Sequence, residues 1–134
     1  MGKMEEQPKL LILYASQTGN AMDAAERLGR EAERRGCSVT VLSVDQFDAG
    51  LLPPLKIVIF VVSTTGQGDS PDSMKVFWRF LLQRNLSQQW LKQVQYAVFG
   101  LGDSGYQKYN VIISRALFTL GNYGAYAINI IPIH

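Results

Sequence analysis

The sequence predicts an α/β fold: a doubly wound parallel sheet with helices on both faces, a three-layer α/β/α arrangement. Three observations carry that expectation. Short, nearly unbroken apolar runs alternate along the chain with stretches whose apolar residues recur at helical spacing. Runs such as residues 10–15 lack the apolar–polar alternation of a half-exposed strand, as expected where both sheet faces are covered. Polar loops rich in glycine, serine and threonine follow the first, third and fourth runs, on the side where such sheets bind ligands.

Taken in order, residues 10–15 (LLILYA) form the first strand candidate. Residues 20–35 carry Ala21, Ala25, Leu28 and Ala32 on one helical stripe, with Asp23, Glu26, Arg30, Glu33 and Arg34 opposite. Gly36 stands where a helix-terminating glycine belongs. Residues 38–44 alternate through Val39 and Val41 and read as an edge strand. The acidic, Gly/Pro-containing stretch 45–54 replaces its return helix. Residues 57–62 are the strongest strand candidate. Pro71 opens a second helix over 71–84, with Met74, Phe77, Trp78 and Leu81 along one side. Residues 96–101 form another strand, residues 108–120 a helix, and residues 125–133 a last apolar run. The order is β-α-β-β-α-β-α-β, read as one domain over residues 1–134.

Composition narrows the chemistry. The 134 residues are 47% hydrophobic and 18% charged, too apolar for a disordered chain. The longest apolar run falls far short of the about 20 residues that span a bilayer, so no membrane partner is expected. The polar N-terminus offers no secretory apolar segment. One cysteine, Cys37, forms no internal disulfide, and a reducing, cytoplasmic setting is the natural reading. The lone histidine is the last residue, His134, which argues against histidine-based triads and histidine-ligated zinc. No metal site is expected. A net charge of +2 is too small to argue for a nucleic-acid surface. The chemistry is expected to belong to a bound cofactor, with no catalytic side chain.

The first loop, Ser16-Gln17-Thr18-Gly19-Asn20-Ala21, leads directly into a helix, whose first N–H groups and dipole favour a phosphate. An ordinary Ser/Thr helix cap is the plainer alternative. The Gly-Lys-Ser/Thr ending of a Walker loop is absent. The second loop, Ser63-Thr64-Thr65-Gly66-Gln67-Gly68-Asp69-Ser70, has two glycines that let backbone approach a ligand, or is a polar turn capping the next helix. A phosphoacceptor domain would want an aspartate where Ser63 stands. The third loop runs from Gly100 through Leu101, Gly102, Asp103, Ser104, Gly105, Tyr106, Gln107, Lys108 and Tyr109 to Asn110. Its G-x-G-x-x-G spacing lies on the wrong strand for a dinucleotide fingerprint, and no acidic residue follows at 120–125. Its Gly-Asp-Ser-Gly segment has no histidine to act as base. What remains is a glycine-rich loop bearing Tyr106, a ring suited to stacking on a flat ligand.

In this order and on these strands, the three loops resemble the FMN-binding loops of the flavodoxin-like domain of diflavin reductases. The wording is closest to the NADPH-dependent diflavin oxidoreductase family, which serves cytosolic iron–sulfur protein assembly; cytochrome P450 reductase is a more distant relative. The resemblance is strongest over residues 10–110. It implies that Ser16, Gln17, Thr18, Gly19, Asn20 and Ala21 hold the FMN phosphate. It implies that Ser63, Thr64, Thr65, Gly66, Gln67 and Gly68 border the isoalloxazine, with the Gly66 peptide near flavin N5. Leu101, Gly102, Asp103, Tyr106, Tyr109 and Asn110 then complete the site, with Tyr106 stacked on the ring. Thr65 stands where the more distant relative has a second stacking tyrosine, so one flavin face is expected to be less shielded. The implied donor is a reductase domain carrying FAD and NADPH, and the implied acceptor an iron–sulfur or haem protein. The chain alone is not expected to turn over NADPH.

Residues 111–134 depart from that family, which continues with a fifth strand, an acidic loop and a final helix. Here residues 120–124 lead into the apolar run and then Pro132-Ile133-His134. The expectation is a truncated domain without the final helix, exposing apolar surface beside the first helix. A flavin-free interaction module that shares the reductase's partner is the alternative.

Overall fold

The computed structural model describes residues 9–15, 19–52, 54–63, 76, 77, 79, 89–101 and 126–133. Strands β1 (Lys9–Ala15), β2 (Ser38–Ser43), β3 (Ile57–Ser63), β4 (Gln95–Leu101) and β5 (Tyr126–Ile133) form one parallel sheet in the order β2-β1-β3-β4-β5. Helix α1 (Asn20–Arg34) makes the crossover from β1 to β2. The expected strands lie where the apolar runs lie, with ends shifted by a residue.

Strands β1, β3 and β4 are covered on two faces because alternate residues serve two separate clusters. Leu11, Leu13 and Ala15 of β1, Val58, Phe60 and Val62 of β3, and Tyr96 and Val98 of β4 share one face. Val44, Leu52, Phe77, Leu91 and Val94 cover it. Phe77, with Val76 and Arg79, is helical and lies in the expected second helix; its ring meets Phe60 edge-on at 5.8 Å. The other face carries Ile12 and Val61 beneath Ala21 and Ala25 of α1. Layers thus lie on both sides of the sheet, as a parallel sheet requires. The expected helix over 108–120 and most of that over 71–84 lie outside the described residues.

Helix α1 ends by a complete glycine-dependent motif. Gly36 takes φ +90°, its N–H donates to the Glu33 carbonyl at 3.0 Å, and the Cys37 N–H donates to the Ala32 carbonyl at 3.0 Å. Only a residue without Cβ adopts that left-handed geometry cheaply. The chain then enters edge strand β2, which ends at Ser43 rather than Val44. Val44 opens a short 3₁₀ turn because the Ser43 hydroxyl accepts the Asp45 N–H at 3.3 Å and Gln46 Oε1 accepts the Ser43 N–H at 3.1 Å. A second 3₁₀ turn, Ala49–Leu51, follows, with the Gly50 N–H donating to Asp48 Oδ1 at 2.9 Å. These two turns replace the return helix, as the acidic Gly/Pro stretch predicts.

At the opposite edge, β5 pairs with β4 from Gln95↔Tyr126 to Leu101↔Ile133, with an irregularity between Tyr96 and Ala97. Ile128 is the extra residue, a bulge in the backbone register of the pair. Pro132, opposite Gly100, has no N–H to donate, and an edge strand is where a sheet tolerates that.

Candidate site at the carboxyl ends of β1, β3 and β4

Register decides what the three loops can do together. Ala15 is paired with Val62, and Ser63 with Leu101, so β1, β3 and β4 end side by side at one edge of the sheet. Neighbouring strands lie about 4.8 Å apart, so the three loops start within about 10 Å of one another. From β1 the chain crosses to β2 on one side, while β3 lies on the other. The strand order therefore reverses between β1 and β3, the switch point where doubly wound sheets open a crevice for a ligand.

At that crevice α1 begins in a distinctive way. Its N-cap is Gly19, in the left-handed conformation at φ 87°, and among the described residues no side chain caps it. The N-cap position itself is thus a glycine and not a serine or threonine. The first backbone bond within the helix runs from the Asp23 N–H to the Gly19 carbonyl at 3.1 Å. The N–H groups of Asn20, Ala21 and Met22 precede it and have no carbonyl to reach within the helix. They point out of its positive end, an arrangement that suits an anion. Ala21 is fully buried against the sheet, so this first turn is anchored rather than frayed. Met22, 37% exposed, was not singled out from the sequence, although its amide belongs to the same first turn. Counting one residue further from the helix start would have found it.

Ser63 closes β3 at 7% exposure, a polar residue buried where the second loop leaves the sheet. Leu101 closes β4 beside it. Of the anticipated site residues, the structure brings Gly19, Asn20, Ala21, Ser63 and Leu101 to this edge. Ser16, Gln17, Thr18, Thr64, Thr65, Gly66, Gln67, Gly68, Gly102, Asp103, Tyr106, Tyr109 and Asn110 lie outside the described residues. Among the described residues there is no cluster of metal-ligating side chains, and no helix is long and apolar enough to cross a membrane.

A flavin phosphate fits these described groups: first-turn amides with no carbonyl partner within the helix, behind a left-handed glycine, at the switch point, with no carboxylate nearer in sequence than Asp23. The strand order and this switch point are those of the doubly wound α/β class. Comparison with known proteins makes the class specific. The flavodoxin family model matches residues 12–131, and the chain belongs to the flavodoxin family, FMN-binding proteins that transfer electrons. The chain is 67% identical over 122 residues to NADPH-dependent diflavin oxidoreductase 1 of Arabidopsis thaliana, covering 90% of this chain and 20% of that protein. It is 50% identical over 117 residues to the protein of the same name from Mus musculus, covering 85% and 20%. The chain therefore spans about a fifth of the length of these curated relatives. Among solved structures, a flavodoxin from Streptococcus pneumonia superposes with a TM-score of 0.74 at 26% identity, covering 91% of this chain and 82% of that one. Oxidised flavodoxin 1 from Bacillus cereus gives 0.69 at 25% identity, covering 93% and 86%.

Proposed function

We propose that this chain is the FMN domain of an NADPH-dependent diflavin oxidoreductase, taking electrons from an FAD- and NADPH-binding reductase domain and passing them to an iron–sulfur or haem protein in the cytoplasm. The observation that carries the reading is the meeting of the carboxyl ends of β1, β3 and β4 at the β1/β3 switch point, where α1 begins behind the left-handed Gly19. The similarity to diflavin oxidoreductases supports the choice of donor.

In this reading the first loop holds the phosphate: the amides of Asn20, Ala21 and Met22 donate to its oxygens, with Ser16, Gln17 and Thr18 adding side-chain donors. Ser63, Thr64, Thr65, Gly66, Gln67 and Gly68 border the flavin ring, and the Gly66 peptide faces its N5. Leu101, Gly102, Asp103, Tyr106, Tyr109 and Asn110 close the far side, with Tyr106 stacked on the ring. FMN, when bound, supplies the redox chemistry, and the protein's part is to hold the ring, restrict water and set the local charge. No histidine is called upon.

Titrating the 134-residue chain with FMN and following flavin fluorescence tests the reading. Saturable quenching at or below about 10 µM, a moderate affinity on the free-energy scale, is expected. Absence of saturable quenching at several times that concentration would favour the flavin-free interaction module.

A further inference from the structure

Gly29 sits in the carboxyl half of α1, fully buried, directly over the sheet. A Cβ there would stand 3.0 Å from Cγ2 of Val41, 3.4 Å from Cγ1 of Val39 and 3.8 Å from Cδ1 of Ile12. Alanine is the better helix former at such a position, so a glycine gives up helix stability for close approach to β1 and β2. The two valines are stiff at χ1 and cannot turn aside freely. Upstream, Ala21 and Ala25 lie fully buried against the same face, leaving no slack in the contact.

We propose that Gly29 is a positioning residue for the phosphate-binding amino end of α1. The helix is a stiff rod, and Gly29 lies about 14 Å along it from Asn20. A side chain at 29 lifts the rod at that point while Ala25 stays in contact, so the amino end tilts by a few tenths of an ångström. Charge-assisted N–H···O bonds to a phosphate are short and weaken steeply with misalignment. The absent side chain at 29 thereby sets the aim of the Asn20, Ala21 and Met22 amides. This inference rests on the proposed reading of the first loop as the phosphate site.

Comparing FMN with riboflavin, which has the same ring and no phosphate, isolates that effect. In the 134-residue chain, Gly29→Ala is expected to weaken FMN about five-fold while leaving riboflavin within about two-fold. Adding Val41→Ala removes the nearest obstructing methyl and is expected to restore FMN affinity to within about two-fold of the original. Gly36→Ala is the control: at φ +90° with nothing within 4 Å of its Cβ, it strains the end of the same helix without pressing on the sheet. It should leave the FMN-to-riboflavin ratio unchanged. An unchanged ratio in Gly29→Ala, an equal loss for both flavins, or no recovery with Val41→Ala overturns the inference. If the unsubstituted chain itself binds both flavins equally, the phosphate assignment falls, and this inference with it.

Discussion

Tyr96 is the largest side chain buried almost completely, at 1% exposure, and among the described residues nothing hydrogen-bonds its hydroxyl. Burial raises its pKa above the ordinary value of 10.0, because the phenolate loses its water. The folded chain therefore keeps a proton that the unfolded chain releases near its ordinary pKa. The stability it contributes is full below about pH 10 and is lost as pH rises beyond it. Urea unfolding from pH 8 to 11 should show that decline in the native chain and a flatter profile in Tyr96→Phe. At neutral pH the same substitution should leave stability unchanged or slightly raised, since it removes an unbonded buried hydroxyl. Gly36→Ala should lower unfolding free energy by about 1–2 kcal/mol, because alanine must enter the left-handed region at φ +90°. Arg34 and Arg35 both reach Glu31, at 3.2 and 3.4 Å, but all three side chains are well exposed. Glu31→Gln is accordingly expected to change stability by under about 0.5 kcal/mol in chemical denaturation.

Strands β1, β3 and β4 are each paired on both sides, with β3 at the centre, whereas β2 and β5 are paired on one side only. Hydrogen exchange should therefore find the slowest amides in Ile12, Leu13, Val58 and Phe60, and faster exchange in β2 and β5. Equal protection across all five strands would contradict this order. Phe60 is the central anchor of the face opposite α1, meeting Phe77 edge to face. Phe60→Ala should cost about 3–5 kcal/mol in unfolding free energy. The end of α1 was legible from local chemistry, since Gly36 stops it, whereas the Ser43–Gln46 reciprocal bonds that turn the chain out of β2 one residue early were not. The buried stripe of α1 was legible only in part. The apolar pattern singles out Ala21, Ala25, Leu28 and Ala32, yet the fully buried positions are Ala21, Ala25 and Gly29. A hydrophobicity pattern gives a glycine no weight, whereas close packing selects it for having no side chain.

For the molecule as a whole, ligand binding and folding are linked, since the switch-point crevice exists only once β1, β3 and β4 are paired. FMN at about 100 times its dissociation constant should add about 2.7 kcal/mol to the unfolding free energy, visible as a rise in melting temperature. A melting temperature indifferent to FMN would mean that no such site forms. The alternation of apolar runs with helical stretches determined the α/β class, and the resemblance of the three loops to FMN-binding loops implied the cofactor. Both rest on local stretches of sequence, in spacing for the first and in loop wording for the second. The strand order β2-β1-β3-β4-β5 was a different matter. Which strand lies beside which depends on long-range pairing, and that pairing brings the ends of β1, β3 and β4 to one edge. The choice of a left-handed Gly19 as N-cap was likewise open in a sequence that also allowed an ordinary Ser/Thr cap. Only the tertiary structure decided it, because the seat of Ala21 against the sheet sets where α1 can begin.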